Sequence, residues 1–194
     1  MLTGELNERI TVLTFDGAHW KKKDKIWGKC TEKNTRCIFS QNGVSALKTM
    51  IVSTYKENKA SEVNLLEIRG KKYLPVSVIP NKNPVYKDVT SAPVLVKTMI
   101  MYKNVTETDE NRLVTSTKTE EKETDVIFAN KYVALNSNAV FNTENRAFII
   151  LIPKDINIDA GTIVKIDNTF YYVTLTLEYG DFFNEYQIEV KEDI

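Results

Sequence analysis

The chain has 194 residues, 42% hydrophobic and 27% charged, which is enough to bury one or two small cores and too apolar for a disordered tail. Two cysteines and one histidine leave little for a disulfide framework, a zinc site or histidine acid–base chemistry. The net charge of zero divides unevenly: residues 1–95 hold 16 Lys+Arg against 9 Asp+Glu, and residues 96–194 hold 10 against 17, a polarity that can guide partner choice.

No apolar run approaches the roughly 20 residues of a membrane-spanning helix; the longest, Ala147 to Pro153, has the length of a strand. Met1 to Ile10 carries Glu5, Glu8 and Arg9 and shows no apolar core of a secretion signal. Cys30 and Cys37 therefore fit a reducing compartment.

Taken in chain order, Ile10 to Phe15 is rich in β-branched residues and stops at Asp16-Gly17, a turn pair. A polar tip, residues 16–25, follows and carries Lys21, Lys22, Lys23 and Lys25; a second strand runs from Ile26 to Thr31. Ser45 to Glu57 is open to two readings. Ala46, Leu47, Met50, Ile51 and Tyr55 fall near helical spacing, whereas Thr49 to Tyr55 has the length and β-branching of a strand. Leu65 to Tyr73 reads as a hairpin through Arg69-Gly70, and residues 79–93, with Pro80, Pro84 and Pro93, read as a connecting arm. Thr98 to Tyr102 then alternates like the opening strand. It leads into a second polar tip, residues 103–111, with Glu107, Asp109 and Glu110, and a strand over Arg112 to Thr117. Ile163 to Ile166 joins Tyr171 to Leu177 through Asp167-Asn168, and Tyr186, Ile188 and Val190 alternate with polar residues.

The halves align at a shift of 98 positions: Thr49-Met50-Ile51-Val52 falls on Ala147-Phe148-Ile149-Ile150, and Leu65 to Tyr73 falls on Ile163 to Tyr171. Parity slips after Pro75, and a proline within a strand marks a bulge or an edge. The expectation is an all-β chain of two similar small β-barrel or β-sandwich modules in tandem, residues 1–93 and 94–194, each with a long polar tip loop.

Chemistry-bearing patterns are few. Cys30, Cys37 and His19 lack the spacing of a metal site, and no phosphate-binding glycine motif occurs. Glu120, Glu121, Glu123 and Asp125, interleaved with Lys118 and Lys122, read as a solvated edge. Asn104-Val105-Thr106 is a glycosylation sequon without a secretion context. The lysines of the first tip, flanked by Trp20 and Trp27, could touch nucleic acid phosphates or a protein neighbour. No catalytic residue, cofactor or metal is expected.

The opening Leu6-Asn7-Glu8-Arg9-Ile10-Thr11-Val12-Leu13 resembles the start of small head–tail connector proteins of tailed bacteriophages, the head-completion or stopper group. The hairpins Ile68 to Val76 and Ile166 to Val173 fit the plan of that family, and Met99 to Tyr102 is similar to minor capsid proteins of phages of low-GC Gram-positive hosts. Typical members carry one such domain, and this chain has two. The resemblance implies a homo-oligomeric ring in the neck of a virion, assembled in the host cytoplasm. Such a ring extends the channel of the portal and docks neck or tail proteins. It implies Lys21, Lys22, Lys23 and Lys25 as a candidate DNA-channel or interface tip, and Glu107, Asp109 and Glu110 as a candidate interface tip. It implies no membrane partner. The alternative is a non-catalytic binding module for carbohydrate or a surface, with Tyr171, Tyr172, Phe182 and Phe183 as candidate contacts.

Overall fold

A computed structural model describes residues 6–34, 37–38, 45–46, 48–108, 114–130, 147–179 and 181–191. Among them every regular element is a strand: β1 (Glu8–Phe15), β2 (Trp20–Lys33), β3 (Cys37–Ile38), β4 (Ser45–Ala46), β5 (Thr49–Tyr55), β6 (Leu65–Ile68), β7 (Lys71–Pro80) and β8 (Tyr86–Pro93) in the first half. The second half contains β9 (Leu95–Thr108), β10 (Val114–Asn130), β11 (Ala147–Pro153), β12 (Ile163–Ile166), β13 (Thr169–Tyr179) and β14 (Phe183–Val190). The segment open to two readings is thus strand at β4 and β5, where Met50, Val52 and Thr54 point inward at period two.

The strands close into two antiparallel barrels, β1-β2-β5-β8-β7-β6 and β10-β11-β14-β13-β12-β9. Replacing β1, β2, β5, β6, β7 and β8 by β9, β10, β11, β12, β13 and β14 converts the first order into the second. Closure removes the exposed edges that would pair with other chains. The likeness reaches backbone detail. Arg69 and Gly70 turn the first short hairpin with φ of 51° and 76°, and Asp167 turns the second with φ 54°. A bulge falls between Pro75 and Ser77 in β7 and between Val173 and Leu175 in β13, the same place in each copy. The bulge that a proline within a strand suggests at Pro75 is therefore present and is shared by both copies.

Each barrel has its own core: Ile10, Val12, Ile26, Met50, Val52, Leu66, Ile68, Tyr73 and Val89 in the first, and Met99, Met101, Val126, Phe128, Ile150, Ile152, Val164, Ile166, Tyr171, Val173, Tyr186 and Ile188 in the second. Gly28 is needed where β2 crosses the first core, because a Cβ there would lie 2.7 Å from Ile10 Cδ1. A third apolar cluster joins the barrels. Leu13, Trp20, Leu65, Leu74 and Ala92 of the first pack on Ile127, Ile149, Leu151 and Phe183 of the second. This seam explains the unbroken apolar run in β11. Phe148, Ile150 and Ile152 face their own barrel while Ile149 and Leu151 face the neighbouring one, so neither side of the strand meets water.

Three sequence expectations are corrected. Residues 79–93 are not a connecting arm but the end of β7, a turn and β8. Pro80 and Pro93 end strands and Pro84 lies in the turn, where a missing N–H is harmless. Asn81 Oδ1 and Asn83 Oδ1 accept the N–H groups of Asn83 and Val85 and close the turn. The first tip is a turn of only Asp16 to His19, and all four lysines stand on β2. The second tip is largely a two-stranded ribbon: Lys103 to Thr108 pair with Glu120 to Val114, and β12 reaches β9 only as far as Tyr102. The strand expected over Arg112 to Thr117 lies instead in β10, from Val114 on. β8, which ends at Pro93, belongs to the first barrel and β9, which begins at Leu95, to the second.

Candidate assembly surfaces

The seam is locked by hydrogen bonds as well as apolar contact. The Asp125 N–H donates to Ala18 O at 2.7 Å, the Thr124 hydroxyl donates to the same oxygen at 3.0 Å, and the Trp20 N–H donates to Asp125 Oδ2 at 3.0 Å. Asp125 Oδ1 also accepts from the Thr98 hydroxyl at 3.1 Å and lies 3.3 Å from His19 Nδ1. The rings of Phe15, Trp20 and Phe183 follow one another at 5.2 and 6.3 Å. Asp125, read from sequence as part of a solvated edge, is therefore a clamp between the barrels. Its neighbours Glu120, Glu121 and Glu123 are exposed on β10.

The seam joins unlike faces. The first barrel contributes the outer face of β1, β6, β7 and β8 with Trp20 at the start of β2; the second contributes that of β10, β11 and β14. In the second barrel the counterparts of Leu13, Leu65 and Leu74 are Tyr102, Ile163 and Tyr172, as the strand registers establish. These stand outside the seam, and Tyr172 is 39% exposed. Lys191 Nζ lies 5.6 Å from the Tyr172 ring, Lys165 Nζ lies 5.4 Å from the Phe170 ring, and Phe170 stacks toward Tyr102 at 5.9 Å.

On β2 the lysines are exposed, but two already have carboxylate partners. Lys21 Nζ is 2.5 Å from Asp16 Oδ2 and Lys22 Nζ is 3.3 Å from Glu67 Oε1. The Lys21 ammonium, then the N–H groups of His19 and Ala18, hold the Asp16 carboxyl well below the usual carboxylate range. Trp27 is 51% exposed, with the Arg9 guanidinium carbon 5.9 Å from its ring centroid.

The other sequence candidates are placed less favourably. Glu107 stands on β9 opposite Ser116; its side chain, like Asp109 and Glu110, lies outside the described residues. The four candidate aromatics do not form one platform. Tyr171 and Phe183 are buried in the second core and in the seam, and Phe182 sits at the mouth of the seam beside Glu62, Leu74, Val76 and Asp181, in a cleft of about 170 Å³. A larger cleft of about 390 Å³ opens at the end of the second barrel between Glu120, Glu121, Lys122 and the segment Asp155 to Asp159. Among the described residues no three His, Cys, Asp or Glu side chains are grouped to hold a metal ion.

Cys30 has the signature of an inert thiol. Burial, reinforced by the nearby Glu8 carboxylate, pushes it up to about 12. Peptide mapping after iodoacetamide treatment of the native protein near pH 8 should find Cys30 alkylated far more slowly than in denaturant. Equal rates in the two conditions would contradict the shielding of this half-buried thiol.

Comparison with family models, with curated proteins and with solved structures finds no match to the chain.

Proposed function

We propose that this chain is a non-catalytic structural subunit that assembles into a ring, and that the ring belongs to the head–tail connector of a tailed bacteriophage. The observation that carries the first part is the unlike-face seam. A contact between two different surfaces of similar modules can repeat, and repetition closes into a ring or continues as a filament. One such contact is built into the chain, and the outer face of β9, β12 and β13 that would continue the series is left uncovered with Tyr172 and Phe170 on it. The phage assignment rests on the resemblance of Leu6 to Leu13 and of the hairpin plan to connector proteins. The ribbon of β9 and β10 supports it, being a rigid extension able to reach a neighbour.

The binding-module reading is favoured by one observation, the exposed Phe170 and Tyr172 flanked by Lys165 and Lys191. Mass measurement in solution combined with mass spectrometry and microscopy of purified virions separates the two. The connector reading expects the chain in virions, as ring density at the portal vertex. Absence from particles, together with a monomer that binds a glycan array through Tyr172, would replace it by the binding module.

A further inference from the structure

The two barrels carry the same charge pattern with every sign reversed. Thr11 pairs with Lys25 on one side and Glu67 on the other; its counterpart Ile100 pairs with Glu123 and Lys165. Val12 pairs with Asp24, and its counterpart Met101 with Lys122. Leu13 pairs with Lys22, and Tyr102 with Glu121; Thr14 pairs with Lys21, and Lys103 with Glu120. Lys23 is the extra residue of the bulge opposite Val12 and Leu13 and has no counterpart. Five equivalent positions are thus inverted, Lys21, Lys22, Asp24, Lys25 and Glu67 against Glu120, Glu121, Lys122, Glu123 and Lys165. Alternation divides them between the two sides of the strands: Lys22, Lys25 and Glu67, opposite Leu13 and Thr11, share the outer side of the first barrel, and Glu121, Glu123 and Lys165, opposite Tyr102 and Ile100, share that of the second.

We infer that the outer side of β2 at Lys22 and Lys25, with Glu67 beside them, docks on a second copy at Glu121 and Glu123 of β10 and Lys165 of β12, the lysines of β2 facing the glutamates of β10. Two surfaces of the same shape and opposite sign are complementary when opposed around a local two-fold axis. Two β2 surfaces, or two β10 surfaces, would set like charges together. The contact therefore joins unlike ends and can propagate through successive copies. Exposed aromatic area lies beside both charged strands, Trp27 on β2 and Tyr102 with Phe170 next to β10, and supplies surface to bury. Lys22, partly neutralised by Glu67, suits a protein partner carrying the inverted set better than a continuous phosphate backbone. The inference deepens the ring reading by naming its surfaces, and relies on it only for the partner being a second copy.

The test is charge exchange in the full chain, read by sedimentation or light scattering at low and high salt, with circular dichroism to confirm folding. The wild type should associate, and less so at high salt. K22E/K25E carries acid on both surfaces and E121K/E123K carries base on both; each alone should associate at least about tenfold more weakly. Mixing the two should restore association, because each reversed surface then meets its complement, and the four-fold variant should associate with itself. A wild type that stays monomeric at low salt, an association indifferent to either reversal, or variants that the mixture does not rescue would each overturn the inference. Detection in virions is a separate readout: a ring at the portal vertex indifferent to charge reversal would keep the connector reading while removing these surfaces.

Discussion

Leu151→Ala should cost about 3 kcal/mol, the central value for truncating a buried leucine. At roughly 2–4 °C per kcal/mol for a chain of this size, the melting temperature should fall by about 6–12 °C. Leu151 is 2% exposed and packs in the seam, not in the core of its own barrel, so the loss comes from coupling between modules. Calorimetry of the wild type should therefore show one transition. Leu151→Asp, which places a carboxylate in apolar surroundings, should lower the melting temperature further and split the melt in two. An internal control comes from the duplication. Leu74 is 1% exposed, whereas its counterpart Tyr172 is 39% exposed, so Leu74→Ala should destabilise strongly and Tyr172→Ala by less than about 1 kcal/mol. A Leu151→Ala protein that melts within about 2 °C of the wild type would show that the seam does not couple the barrels.

The second large effect is expected at Tyr186, whose side chain is fully buried in the second core. Its hydroxyl accepts the Ile158 N–H at 3.1 Å and lies 3.3 Å from Ile156 O and Asn157 Oδ1, either of which can take its proton. One hydroxyl thereby pins the segment that crosses the end of the barrel. Tyr186→Phe keeps the ring and removes those bonds, leaving the buried Ile158 N–H without its partner, at a cost of about 1–3 kcal/mol. The effect should be local as well as global: the Ile158 amide should exchange with solvent much faster, while the amides of β5 in the other barrel stay unchanged. Unaltered exchange at Ile158 would mean that the hydroxyl does not hold the segment.

Much of the fold was legible because it follows from local pattern. Alternation marked β1, β9, β13 and β14, and the shift of 98 marked the duplication before any pairing was known. What escaped depends on contacts between distant residues. Closure needs β1 beside β6, and the seam gathers Ile149 and Leu13 into one cluster, neither of which leaves a periodic trace. The prolines of residues 79–93 misled because proline at a strand end looks in sequence like proline in a linker. The acidic counterpart of the lysine segment was sought in Glu107, Asp109 and Glu110. Carrying the shift of 98 from Lys25 leads instead to Glu123. The long ribbon hid that step, because Ile100 and Glu123 pair 23 positions apart whereas Thr11 and Lys25 pair 14 apart.

The two-sided burial of β11 bears on how the chain selects its alignment. In an ordinary half-buried strand, a slip of one residue drives polar side chains into the core and is rejected. In β11 the same slip would exchange Phe148, Ile150 and Ile152 for Ile149 and Leu151, apolar for apolar, so polarity carries no instruction there. The instruction lies in the partner strand. Along β14, Tyr186 and Ile188 alternate with Gln187 and Glu189, and Ile150 faces Tyr186 while Phe148 faces Ile188. The strand that is apolar on both sides thus takes its register from a neighbour whose outer side turns polar after Phe183, and β14 acts as the template against which β11 is read.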